Sequence, residues 1–180
     1  MTASLNVSPV EGFYKSNLTF TGSGFAPNES VEIYKGGVGS AVLARARADS
    51  TGSFTTSARA SQSAYLFGPR IFVGVGQTSG KLGAAGFTLK PRLFVTPAAG
   101  AVGSAVTVEG YGFESMETVG IIWDVPRTFL GRATADLHGT FSGSAALTFS
   151  VPSGAAPGKN VVYGHGQATG IIGSGSFTVE

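Results

Sequence analysis

Leu5-Asn6-Val7-Ser8-Pro9, near the start of the chain, is answered 88 positions later by Leu93-Phe94-Val95-Thr96-Pro97. In that one register, without a gap, Gly12 falls on Gly100, Ser16 on Ser104 and Thr19 on Thr107. Gly22, Gly24 and Phe25 fall on Gly110, Gly112 and Phe113, and Glu29, Val31 and Ile33 on Glu117, Val119 and Ile121. The offset then becomes 87, and Ala48-Asp49-x-x-Gly52-x-Phe54 returns as Ala135-Asp136-x-x-Gly139-x-Phe141. At an offset of 90, Gly74-x-Gly76-Gln77-x-x-Gly80 returns as Gly164-x-Gly166-Gln167-x-x-Gly170, and Phe87-Thr88-Leu89 as Phe177-Thr178-Val179. The sequence is a duplication from end to end. Each copy has roughly 90 residues, enough to bury a core of its own, so we place one domain at residues 1–90 and a second at 91–180. The register slips between Tyr34 and Arg47 and again between Ser57 and Arg70, and the copies should differ most there.

The composition predicts an all-β fold. Among 180 residues there are 28 glycines and only 12 % charged side chains. Apolar residues recur with period two in Leu18-Thr19-Phe20, Val31-Glu32-Ile33 and Val106-Thr107-Val108, and no stretch of ten or more shows helical spacing. About seven short strands are expected per copy, near Leu5–Ser8, Asn17–Gly22, Val31–Lys35, Ala41–Ala48, Ser53–Ala60, Arg70–Gly76 and Ala85–Leu89 in the first. That count and spacing suit a small β-sandwich. Asp49 with Gly52, and Asp136 with Gly139, have the side chains that a tight turn needs. Gly22-Ser23-Gly24-Phe25 and Gly110-Tyr111-Gly112-Phe113 read as a strand that kinks and sends a Phe into the end of the core. Between the copies only Lys90-Pro91-Arg92 remains. Three residues span at most ~10 Å, which predicts two domains end to end with little freedom between them.

The same features exclude several function classes. A formal charge of +2, with Arg45, Arg47, Arg59 and Arg70 scattered, gives no basic stripe for nucleic acid. No apolar run reaches the ~20 residues of a membrane span, and Met1-Thr2-Ala3-Ser4 lacks the regions of a signal peptide. An export signal or anchor, if the protein has one, is expected outside this segment. With no cysteine there are no disulfides and no thiolate metal sites.

The run from Val7-x-Pro9 through Gly22-x-Gly24-Phe25, Glu29-x-Val31-x-Ile33, Asp49-x-x-Gly52-x-Phe54 and Phe87-Thr88-Leu89, written twice, resembles the immunoglobulin-like repeats of bacterial surface and secreted proteins, close to the IPT/TIG type. The resemblance implies two tandem immunoglobulin-like sandwiches in an extracellular setting, as found in adhesins, in wall-associated proteins and beside extracellular hydrolases. It implies no shared active site.

Candidate sites are few. Trp123, the one tryptophan, lies in Val119-x-Ile121-x-Trp123 on the same face as two core residues, yet its counterpart is Lys35. It reads either as a core-edge residue or as a rim residue that, with Phe129 on the next strand, stacks on a sugar ring through its flat apolar face. His138 stands in a turn beside Asp136, and His165 replaces Val75. Whether Tyr163 and His165 face out or in is not fixed by the alternation. The repetition of Gln77 as Gln167 and of Glu29 as Glu117 argues for scaffold. No nucleophile elbow, phosphate loop, carboxylate pair or metal-ligand cluster is present, so no catalysis, cofactor or metal is expected. Three functions remain: a spacer or adhesive stalk flanked by further domains of the same polypeptide, a module binding polysaccharide or cell-wall glycan, and a self-associating filament subunit joined at strand edges.

Overall fold

A computed structural model describes residues 2–60 and 68–180, and the chain divides into two compact units, one ending at Leu89 and the next beginning at Lys90. Among the described residues helix is confined to one 3-10 turn at Gly143–Ala145. None is long and apolar enough to cross a membrane.

The first unit comprises β1 (Ser4–Ser8), β2 (Glu11–Gly12), β3 (Asn17–Ser23), β4 (Ser30–Lys35), β5 (Val42–Arg47), β6 (Phe54–Arg59), β7 (Gly68–Gly76) and β8 (Leu82–Leu89). They form a three-stranded sheet, β1-β3-β6, and a five-stranded sheet, β2-β8-β7-β4-β5. Every pairing is antiparallel except β2 with β8. Period-two alternation decides which face each strand buries. In β3, Leu18, Phe20 and Gly22 are buried while Asn17, Thr19, Thr21 and Ser23 are exposed. Phe20 meets Phe72 of the facing sheet edge-on, centroids 5.0 Å apart, and Phe72 touches Phe87 at 5.9 Å. A fully buried ring of this size contributes about 2 kcal/mol through removal of apolar surface from water. After Gly24 turns the chain at φ +77°, Phe25 enters the core, 3 % exposed and 5.5 Å from the Phe54 ring. Gly52, at φ +80°, lies so close to the Phe25 carbonyl that a Cβ would collide with it.

The second unit comprises β9 (Arg92–Thr96), β10 (Ala99–Gly100), β11 (Ala105–Tyr111), β12 (Thr118–Trp123), β13 (Thr128–Thr134), β14 (Leu147–Ser150), β15 (Gly158–Gly166) and β16 (Ile172–Val179). Its strands follow the order β13-β12-β15-β16-β9-β11-β14 as one continuous sheet. A single parallel pair, Ser174 with Arg92, joins what are separate sheets in the first unit, so this unit is barrel-like. Leu93, Val106, Val108, Phe113, Val119, Ile121, Phe141 and Phe177 form its core.

Two expectations need correction. Among the described residues each unit has eight strands where about seven were expected: β2 and β10, two residues each, pair in parallel with the last strand, and two residues are too short to show a period. The strand expected to match Ser53–Ala60 is broken in the second copy. Phe141 makes an isolated bridge to Gly110, the chain detours through the 3-10 turn, and β14 resumes at Leu147. The detour holds because Gly143 adopts φ +58° and donates its N–H to Glu109 Oε1 at 3.2 Å. The register slip between Ser57 and Arg70 falls partly on residues 61–67, outside the described residues. The other coincides with the turn joining β4 to β5, six residues long against four between β12 and β13, each hairpin carrying a bulge.

Candidate functional site

The polar residues that recur in both copies hold the scaffold. Glu29, 5 % exposed, accepts hydrogen bonds from the Ala26 N–H, from the Thr78 N–H at 3.2 Å, and from the Ser79 N–H and hydroxyl at 3.0 and 2.8 Å. Glu117, 4 % exposed, does the same for the Glu114 N–H (3.2 Å), the Ala168 N–H (3.2 Å) and the Thr169 N–H and hydroxyl (2.8 and 2.7 Å). Burial by itself pushes both carboxyls up. The converging donors outweigh it, so both titrate below their ordinary value. Here the glycine motif has its explanation: a Cβ on Gly76 or Gly166 would occupy the space of the carboxylate, and Gly80 and Gly170 close the turn at φ +66° and +72°. Gln77 and Gln167 donate to the Val75 and His165 carbonyls, each at 3.1 Å.

Asp49 Oδ1 accepts from the Thr51 hydroxyl and N–H at 2.6 and 2.8 Å and from the Ser53 N–H at 3.0 Å, and these bonds depress its pKa. Asp136 Oδ1 serves the His138 and Thr140 N–H groups at 2.8 and 3.0 Å. The His138 ring stands 3.8 Å from Asp136 in an exposed turn. Among the described residues no three His, Asp or Glu side chains converge as a metal would require. Asp49→Ala and Asp136→Ala are each expected to lower the melting temperature by only a few degrees, because these turns are exposed and water replaces the lost acceptor. Calcium should leave the wild-type melting curve unmoved; a calcium-dependent rise lost in the variants would turn these turns into a metal site.

Trp123 is fully buried, with no accessible surface. Its Nε1–H donates to the Val125 carbonyl at 3.1 Å, and its ring lies 5.8 Å from Phe177 and 6.3 Å from Phe149. An indole with no free face cannot stack on a pyranose, so of the two readings of Trp123 the core position stands and the sugar platform is corrected. The cross-strand pairs supply the reason. Lys35 is opposite Phe72 in the first unit, and Trp123 is opposite Val162 in the second. The large aromatic has moved from β7 to β12, and Trp123 packs on Phe177 as Phe72 packs on Phe87. Phe129 points the other way, 57 % exposed on β13, with the Arg132 guanidinium over its ring at 5.3 Å and its edge above Gly120. The two residues do not share a surface.

The structure settles the phase of β15. Val162, Gly164 and Gly166 are inward, and Tyr163 and His165 are half-exposed on the outer face. They pair laterally with Ile122 and Gly120 of β12 and with Ser174 and Ile172 of β16. Between them lies a shallow concavity of about 380 Å³, lined by Ile122, Asp124, Arg127, Tyr163, His165 and Ile172. Gln167 Nε2 approaches His165 Nδ1 at 3.2 Å and fixes that ring at the edge. Sequence reading found Tyr163 and His165 but not Ile122, Asp124 or Arg127. Only the substitution of Val73 and Val75 by Tyr163 and His165, between two otherwise matching motifs, could have pointed to this face.

Several solved structures show a distant similarity to the chain. It matches, over 99 % of its length and 49 % of theirs, the tetra-tandem repeat in the extending region of a large adhesion protein, at 20 % identity and a TM-score of 0.42. The human OSCAR ligand-binding domain matches at 15 % identity and 0.35, over 99 % of this chain and 98 % of that one. The ectodomain of a teleost fish polymeric Ig receptor matches at 11 % and 0.36, over 97 % and 96 %. The chain thus spans about half the length of the adhesion-protein structure. No curated protein matches the sequence, and none of these likenesses bears the IPT/TIG type. Residues 3–89, the first copy, match the macroglobulin-like domain family, and the described residues of both copies form an all-β fold.

Proposed function

We propose that the chain is a non-enzymatic pair of tandem immunoglobulin-like sandwiches that serves as a spacer or adhesive stalk within a larger extracellular bacterial protein. One observation carries this reading. The acidic and amide side chains repeated in both copies bind backbone of their own unit: Glu29 and Glu117, Asp49 and Asp136 hold turns, and Gln77 and Gln167 hold the strand end beside one. A duplication that preserves turn-holding groups and no reactive constellation preserves a shape. The short linker then makes the pair a semi-rigid segment that sets a distance between its neighbours. Small-angle X-ray scattering tests this directly. Two ~90-residue bodies end to end should give a radius of gyration of about 23 Å, against about 16 Å for one compact globule of the same length. The compact value, or a broad distribution typical of a flexible tether, would remove the spacer role.

A further inference from the structure

The two units agree beneath their outer faces and part company on one of them. Gly74 and Gly76 of β7 reappear as Gly164 and Gly166 of β15, facing inward in both. Outward, Val73 becomes Tyr163, Val75 becomes His165, Tyr34 becomes Ile122 and Gly36 becomes Asp124. In the first unit the polar groups of this face satisfy one another: the Tyr34 hydroxyl donates to Glu32 at 2.7 Å, and Arg45 Nε reaches Glu32 at 2.9 Å. In the second, Gly120 stands where Glu32 does, and that internal clasp is gone. What takes its place is a concavity lined by the apolar Ile122 and Ile172 and the Tyr163 ring, together with one acid, one base and one imidazole, Asp124, Arg127 and His165.

We propose that this concavity is a glycan-binding site that seats one or two pyranose rings on Tyr163. The C–H face of a sugar matches an aromatic ring flanked by aliphatic side chains. Its hydroxyls both donate and accept, so they can bond Asp124 and Arg127 together, which an anion or a purely apolar ligand cannot. A volume of about 380 Å³ suits a small ligand and is too small for a helix or a strand. A phosphate backbone would meet the Asp124 carboxylate and a single guanidinium. The site adds a ligand to the spacer reading without depending on it, since a sugar bound to the second unit leaves a spacer role unchanged.

Amide-resolved NMR of the whole chain tests the proposal, with cellohexaose, chitohexaose, xylohexaose and maltohexaose titrated separately into the tens-of-millimolar range, where single-platform binding saturates. At least one sugar should shift Ile122, Tyr163, His165 and Ile172 saturably while leaving Tyr34, Val73, Val75 and Leu82 of the first unit in place. Tyr163→Ala should weaken that binding roughly tenfold and Tyr163→Phe should retain it, because the ring supplies the stacking surface. Three results would overturn the site: no saturable shift with any of the four sugars, shifts centred elsewhere, or equal affinity in Tyr163→Ala. Should Tyr163→Ala fail to fold, the shift map of the wild type decides alone.

Discussion

Trp123→Ala is expected to destabilise the second unit by about 4 kcal/mol, the largest effect of any single truncation in the chain, because it removes the largest fully buried side chain and leaves a cavity that the sheet cannot close. Phe149, Phe177 and Val162 would lose their packing partner, and the Val125 carbonyl would lose the indole donor. The first unit should be untouched, since Phe72 fills the matching space there. Calorimetry would show this as one transition moving down and the other standing still. A loss below about 1 kcal/mol would mean that the indole is not a core residue.

Glu117→Gln should be nearly as damaging, at about 2–3 kcal/mol, although the two side chains have the same shape. The carboxylate accepts from four donors, and an amide would turn an N–H group toward some of them. The pH dependence follows from the depressed titration of Glu117. The unfolded chain takes up the proton first, near the ordinary value of 4.5, so the contribution of Glu117 is complete above that pH and is lost as pH falls through the lower folded value. Glu29 acts with the same sign in the first unit, joined by Asp49 and Glu32, also depressed, the last by its bonds to Tyr34 and Arg45. Urea midpoints measured between pH 6 and pH 3 should fall below about pH 4.5 in the wild type, with a shallower fall for the second unit of Glu117→Gln. Equal slopes would show that Glu117 is not the acid-sensitive clasp.

The duplication, the all-β class and the burial of Phe25 and Phe113 were legible in the sequence, because period-two alternation and the Gly24 and Gly112 kinks are local consequences of strand geometry. The turn role of Asp49 was legible for the same reason: its donors lie within four residues. Glu29 was recognisable as scaffold only through its repetition. Apart from Ala26, its partners, Thr78 and Ser79, are some fifty residues away, and no local window joins them. Trp123 was left between core edge and rim for a related reason. Position by position it replaces Lys35 and suggests a rim, whereas across strands it replaces Phe72, and a core conserves total volume over a neighbouring pair rather than the size of each residue. The facing of Tyr163 and His165 was decided by tertiary structure alone. Glycines at 164 and 166 erase the hydrophobic contrast that marks an inward face, and they are glycines because the Phe113 ring and the Glu117 carboxylate fill the space where side chains would stand.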